Sequence, residues 1–371
     1  MNILCSTNLI NKALQAIQKP LSSKVTNPLL NGIYIETLTD SIEIKASDLE
    51  FSAIISIPAQ INEAGKILIA GKQLIDILRR IPSEEVVIYT TKEDNLIHIE
   101  TNSSEYNLLS MPIEDYPSIE KITKNKPVLT IQSEILKNLT SKTSFACSKN
   151  ATNNVFKGVY LDIKDGNINC VATDTHRLAI KKYQLENKNI NVQILLPSEF
   201  LSEISKNLTD EQDQDVVEFY LHNNKIAVQI NNLYMQSSSL EGKYPDYDKV
   251  IPKDFNIRTT FDVNEMIGAV ERASIFSKDG KYINCKITKQ EFIITVNNPD
   301  LGKAREVIGC RTQGNDIEIT FNSEYIIQIL KKFDEQDASI YINSSNSPCS
   351  VRQGKDESYN YIISPMRVNA N

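Results

Sequence analysis

Apolar positions along the chain follow two rhythms. Leu9, Ile10, Ala13, Leu14 and Ile17 form a stripe with helical spacing, whereas VVIYTTKEDNLIHIE at 86–100 and VVEFYLHNNKIAVQI at 216–230 alternate as half-buried strands do. The two rhythms recur in the same order in each third of the chain. Amphipathic helices start near Thr7, Ser133 and Val263, spaced 126 and 130 residues apart. A strand follows in NGIYIE at 31–36 and KGVYLD at 157–162, whose Gly32 and Gly158 are 126 apart, and Asn284 lies 126 further on in YINCKI. Next come KASDLEFSA at 45–53, VATDTHRLA at 171–179 and VNNPDLGKA at 296–304, with Asp48 and Asp174 again 126 apart. Second helices are expected from Gly71, Ser198 and Asn322, with Ser198 and Asn322 as N-caps, each followed by an acid in the first turn. Tyr-Pro pairs in EDYPSIEK at 114–121 and GKYPDYDK at 242–249 punctuate the seams. The pattern predicts an α+β protein of three tandem copies, two helices packed on antiparallel sheets in each, spanning 1–124, 125–251 and 252–371. Each copy is large enough for its own core.

Composition narrows the function. No run of about 18 apolar residues exists to span a membrane, and the start of the chain lacks the basic and apolar regions of a secretory signal. The six cysteines form no C-x-x-C pair, so buried, reduced thiols in a cytoplasmic protein are expected. Only 12 glycines weigh against chemistry built on phosphate-cradling loops. The net charge of −7 is unevenly spread: the helical windows 7–19, 71–81, 133–145, 198–208, 263–278 and 322–332 hold 12 basic and 7 acidic residues. The helices therefore carry +5 and the remainder −12. Bases at helix C-termini, such as Arg79, Arg80, Lys206, Lys331 and Lys332, suit the helix dipole. Alternatively, the helices line one surface that meets phosphate without reading bases.

Catalytic motifs are scarce. AGKILIAGKQ at 64–73 has a P-loop flavour, but its glycine spacing is one residue too long and Gln73 stands where a Mg²⁺-binding hydroxyl is needed. His98 and His222 fall in alternating strands and are expected to face solvent. His176 lies beside Asp174, as either a catalytic pair or a hydrogen-bonded turn, and no nucleophile accompanies it. At the C-terminus, Tyr361–Ile363 reads as a strand ended by Pro365, with Met366 and Val368 beside Arg367. That segment is a plain terminal strand or one wall of a peptide groove.

The threefold repeat, VATDTHRLA, KYPDYDKVIP at 243–252, FNSEY at 321–325 and YIISPMRV at 361–368 together resemble the bacterial DNA polymerase III beta subunit family, the sliding clamps. The resemblance covers essentially the whole chain. It implies crescent subunits that close head to tail into a homodimeric ring around double-stranded DNA, basic helices inside and sheets outside. It implies a processivity factor with no active site, metal or cofactor, located in the cytoplasm. The implied partners are the polymerase III alpha subunit, the clamp loader delta subunit, and other polymerases and repair proteins that insert short linear motifs. The DNA-proximal positions expected are Lys12, Lys24, Lys72, Arg80, Lys137, Lys149, Asn150 and Lys206, of which Lys24 and Asn150 match positions that the resemblance places at the bore. Carried over residue by residue, the apolar peptide subsite comprises Thr173, Thr175, His176, Arg177, Leu178, Pro245, Lys249, Val250 and Ile363, adjoined by Phe156, Tyr282, Asn322, Tyr325, Pro348, Ser350, Ile362, Pro365, Met366 and Arg367. The dimer interface pairs Glu105, Tyr106 and Leu108 with Ile275 and Phe276, flanked by Arg272, Lys303 and Arg305 opposite the acids.

Overall fold

A computed structural model describes residues 1–22, 27–123, 126–208, 215–277, 282–354 and 356–366. The described helices are α1 (Thr7–Ile17), α2 (Gly71–Leu78), α3 (Ser133–Ser141), α4 (Ser198–Lys206), α5 (Val263–Ser274) and α6 (Ser323–Leu330). All begin within a residue of the predicted starts and end two to four residues short of the predicted windows. Asn322 caps α6, its Oδ1 accepting from the amides of Glu324 and Tyr325, whereas Ser198 is the first helical residue of α4 and not its cap.

By backbone contact the chain divides into two compact units, Met1–Lys137 with Glu199–Ser239, and Asn138–Ser198 with Leu240–Asn371. The first unit holds a five-stranded sheet in the order Gln60–Glu63, Asn2–Ser6, Glu85–Thr90, Leu96–Glu100, Glu105–Leu109. It also holds an eight-stranded sheet: Leu129–Gln132, Val216–His222, Lys225–Ile230, Leu233–Ser238, Phe51–Pro58, Ser41–Ser47, Gly32–Thr37, Lys66–Ala70. The second unit is organised on a twelve-stranded sheet. Its first half runs Val192–Pro197, Gly158–Lys164, Asn167–Thr173, Arg177–Gln184, Tyr359–Ile363, Cys349–Gln353. Its second half runs Asp337–Ile342, Ile257–Asp262, Gly302–Gln313, Glu291–Asn298, Tyr282–Ile287, Ile317–Asn322.

These orders contain one rule applied three times. In every copy the strand leading into the second helix pairs with the first strand after the opening helix, which pairs with the second, which pairs with the third. The opening strand begins a second layer with the last three strands. The layers then join between copies. The last strand of the middle copy, Leu233–Ser238, pairs with the third strand of the first, Phe51–Pro58. The last strand of the final copy, Tyr359–Ile363, pairs with the third strand of the middle one, Arg177–Gln184. Among the described residues, two strands remain without this partner: Glu105–Leu109, which pairs on one side with Leu96–Glu100, and the Gly302–Gly309 stretch, which pairs on one side with Glu291–Asn298.

Helix α1 buries Ile10, Ala13, Leu14 and Ile17 of its predicted stripe and leaves Leu9 exposed, and α5 buries Met266, Ala269, Val270 and Ala273. At about 25 cal/mol per Å² of apolar surface, every fully buried Leu or Ile contributes roughly 1.5–3 kcal/mol. Gly158 allows a close approach, since a Cβ there would lie 2.6 Å from the Leu240 side chain and 2.8 Å from the Leu196 carbonyl. Two expectations are corrected. His98 is buried, stacked on Tyr89 at 4.7 Å and 3.3 Å from Asp94, because strand Leu96–Glu100 is covered by neighbours on both sides. Lys142 follows the end of α3 and turns inward to Asp334 Oδ2 at 2.6 Å and the Lys332 carbonyl, so it belongs to no exposed helical face. The six cysteines are unpaired, and burial pushes the thiols of Cys5, Cys147, Cys170 and Cys349 up to about 12, so they stay protonated. No described helix is long and apolar enough to cross a membrane.

Candidate functional site

The Asp174 turn is one of three built alike. Asp48 Oδ1 accepts from the amides of Glu50 and Phe51 at 3.1 and 2.7 Å, and Asp174 Oδ1 from those of His176 and Arg177 at 3.0 Å each. Asn298 Oδ1 accepts from Asp300 and Leu301 at 2.9 and 3.2 Å. Leu49 and Thr175, at the same place in the first two turns, both adopt φ 79°. A side chain with this acceptor geometry fixes a turn locally. Asp174 thus meets His176 through the backbone N–H, not the imidazole, which favours the turn over the catalytic pair.

Its second oxygen accepts from Arg177 Nε at 3.0 Å. The guanidinium, 7% exposed, also donates to the Phe145 carbonyl at 2.7 Å and to Gln328 Oε1, and lies 4.3 Å from the Tyr325 ring. The buried cation is therefore fully partnered, as such a group must be.

Around this turn a groove of about 260 Å³ opens within the second unit. Thr173, Thr175, His176, Arg177 and Leu178 form one wall, Pro245, Asp246, Tyr247 and Val250 another, with Phe156, Pro348, Ile362 and Ser364 completing it. Leu178 and Ile362 are cross-strand partners on the floor, packed with Val155, Val171, Ile180, Tyr244 and Tyr247. Tyr160 stacks on Tyr244 at 4.5 Å, and Tyr247 donates to the buried Asp162 carboxylate at 2.8 Å. Burial raises both hydroxyls, Tyr160 to about 12. The arrangement offers apolar depth bordered by backbone and hydroxyl groups, and so suits a linear peptide with apolar anchors.

The structure thus brings together Phe156, Thr173, Thr175, His176, Arg177, Leu178, Pro245, Val250, Pro348 and Ile362 of the expected set. Lys249 is exposed and paired with Asp246 at 3.1 Å, Asn322 is the cap of α6, and Tyr325 supports Arg177 from below. Tyr282 is the strand partner of Asn322, Ser350 and Ile363 are buried, and half-buried Pro365 lies past the last strand. Met366 donates its amide to the Thr320 carbonyl and lines a separate cleft of about 660 Å³ with Asn284 and Thr320. Arg367 lies outside the described residues. Asp246 and Tyr247 were missed, although Tyr247 belongs to the seam motif.

Of the basic positions, Lys12, Lys72, Arg80 and Lys206 are exposed on or just after α1, α2 and α4 of the first unit, and Lys137 is half-buried. Asn11 of α1 bonds the Leu78 carbonyl at the end of α2, and Lys19 pairs with Glu199 of α4 at 3.1 Å. Lys149 and Asn150 are exposed in a turn of the second unit, and Lys24 lies outside the described residues. Of the interface positions, Glu105 and Tyr106 are exposed and Leu108 half-buried on the one-sided strand, next to Leu109, which is 74% exposed. In the second unit Ile275 is 72% exposed, Phe276 half-buried, and Lys303 and Arg305 exposed. Arg272 instead makes a two-pronged pair with Glu306 of its own chain at 3.0 and 2.6 Å.

Comparison decides the family. Models of the N-terminal, central and C-terminal domains of the DNA polymerase III beta subunit match residues 1–120, 130–246 and 248–367. The chain belongs to the DNA polymerase III beta subunit family. It is a DNA sliding clamp of three tandem clamp domains. The beta sliding clamp of Staphylococcus epidermidis is 28% identical over 372 residues, covering 97% of each chain. The clamp crystal structure from Bacillus subtilis superposes with a TM-score of 0.93 at 26% identity over 100% of both chains. The DNA polymerase III beta chain of Streptococcus pneumoniae gives 0.93 at 28% identity over 99% of this chain and 100% of its own.

Proposed function

We propose that two copies of this clamp close head to tail into a ring around duplex DNA and hold a polymerase there through the groove beside Asp174. The carrying observation is the seam rule. Twice within the chain a copy's last strand pairs with the third strand of the copy before it, which leaves Glu105–Leu109 without such a partner and Gly302–Gly309 with one free edge. Unpaired strand edges invite pairing. Joining these two edges between chains continues the rule, and a head-to-tail contact yields a closed ring or an open fibre. The exposed Leu109 and Ile275 would supply an apolar patch at this joint. In this reading the domain borders fall near 124 and 251.

Exposed Lys12, Lys72 and Lys206 supply loose, sequence-blind phosphate contacts, because helix-borne cations reach backbone charge and no base edge. Weak contacts suit sliding; retention comes from topology, which converts polymerase rebinding into an intramolecular event. The chain then needs no active site of its own, acts in the cytoplasm, and meets the polymerase alpha subunit, the loader delta subunit and repair proteins through linear motifs. The test is loading on nicked circular DNA by a clamp loader with ATP. Protein that stays on the circles in high salt and leaves when they are linearised supports the ring; release unaffected by linearisation refutes it. Leu178→Ala should weaken an apolar-anchored peptide by about 1–3 kcal/mol.

A further inference from the structure

The groove has a twin in the same chain. Within the first unit, the Asp48 turn leads into strand Phe51–Pro58, paired with Leu233–Ser238, as the Asp174 turn leads into Arg177–Gln184, paired with Tyr359–Ile363. Four residues past each aspartate stands the floor residue, with a cross-strand partner: Leu178 opposite Ile362, and Ser52 opposite Gln236. The following Tyr-Pro segment covers both. Tyr116 stacks on Tyr34 at 5.7 Å as Tyr244 stacks on Tyr160 at 4.5 Å.

The floors differ in chemistry. Where the groove has two aliphatic side chains, the first seam has Ser52 Oγ bonded to Ser47 Oγ at 2.8 Å and Gln236 Oε1 accepting from Tyr234 OH at 2.6 Å. All four side chains are buried. The Tyr234 hydroxyl also accepts the Ile122 amide at 3.1 Å, which ties the covering segment to the sheet. Tyr234 pairs across from Ile54, as the smaller Asn360 pairs across from Ile180, so its ring fills volume there and packs with Tyr220, Ile119 and Ile122. The hollow at this seam is lined by Glu120, Lys121, Ile122 and the turn His222–Lys225.

We propose that Ser52, Tyr234 and Gln236 are specificity determinants that close this twin to apolar anchors, so that each chain presents one peptide site. A Leu or Phe anchor entering there would displace the Tyr234 ring and leave the Gln236 and Ile122 polar atoms buried without partners, a cost that a floor of Leu178 and Ile362 does not impose. The inference rests on the groove reading above.

The experiment titrates the intact chain with a synthetic peptide carrying adjacent Leu and Phe anchors, reading stoichiometry by calorimetry and protection by hydrogen exchange. The native chain should bind one peptide, with protection at 173–178 and 245–250 and none at 47–52 or 117–122. Protection at both seams overturns the proposal; no binding at all overturns the groove reading instead. Ser52→Leu/Gln236→Ile, with and without Tyr234→Asn, should raise the stoichiometry to two in at least one variant that keeps the native circular dichroism spectrum. Folded variants that still bind a single peptide also overturn it.

Discussion

Asp174→Ala tests whether the groove wall depends on the paired charge beneath it. The carboxylate receives three bonds of 3.0 Å, two from turn amides and one from Arg177 Nε. The amides at the turn can find water once it is gone. The guanidinium cannot, because it is 7% exposed and keeps only neutral acceptors, the Phe145 carbonyl and Gln328. Removing one partner of a buried pair costs about 3–5 kcal/mol. At about 2–3 kcal/mol per M of urea, that lowers the unfolding midpoint by roughly 1–2.5 M. The assay follows urea unfolding with hydrogen exchange at 167–184, so that the second unit is read separately. Arg177→Met removes the stranded charge. The double variant should therefore be more stable than the sum of the two single losses predicts, by about 2 kcal/mol. Peptide affinity should drop with the wall in Asp174→Ala. If this variant unfolds within about 0.5 kcal/mol of the native chain, as an ordinary surface change does, the buried pair is not what holds the turn.

Leu109→Asp and Ile275→Asp place a charge on either side of the proposed joint, and each should convert the dimer to monomers in sedimentation and abolish retention on closed circles. Lys12→Glu with Lys72→Glu should weaken DNA binding equally on all sequences and reduce the logarithmic salt slope by about one for each phosphate no longer neutralised. Burial alone would raise the Glu43 carboxyl, but Lys121 and Lys45, at 2.6 and 2.7 Å, hold it below its ordinary 4.5; Lys66, with Lys45, does the same for Glu36 against burial. Folded values below the unfolded ones give stability that is present above about 4.5 and lost as pH falls through the lowered values. Glu43→Gln should therefore be less stable than the native chain at pH about 6, the two converging near pH about 3, as measured by urea unfolding.

The repeat and its helices were legible because they rest on local periodicity: the stripe of α1, the cap at Asn322 and the three turns need only nearby residues. The groove was legible where residues lie in the turn or alternate along one strand, as Thr173, Arg177, Leu178 and Ile362 do. Sequence could not show which strand of one copy meets which strand of the next, since that pairing joins residues 178 to 186 apart, such as Ser237 with Phe51 and Arg177 with Ile363. For the same reason Lys142 read as a helical surface cation, while its acceptors arrive from the final copy. Met366 was placed in the groove by its neighbours in sequence, but its amide follows the Thr320 carbonyl and carries the side chain to another cleft.

The shared sheets make the three copies interdependent. Severing the chain between the middle and final copies would strip Arg177–Gln184 of its neighbour Tyr359–Ile363 and bare a long β ribbon. The copies cannot be excised, shuffled or expressed singly without turning sticky. An ancestral gain or loss of one copy would have had to preserve both outermost ribbons.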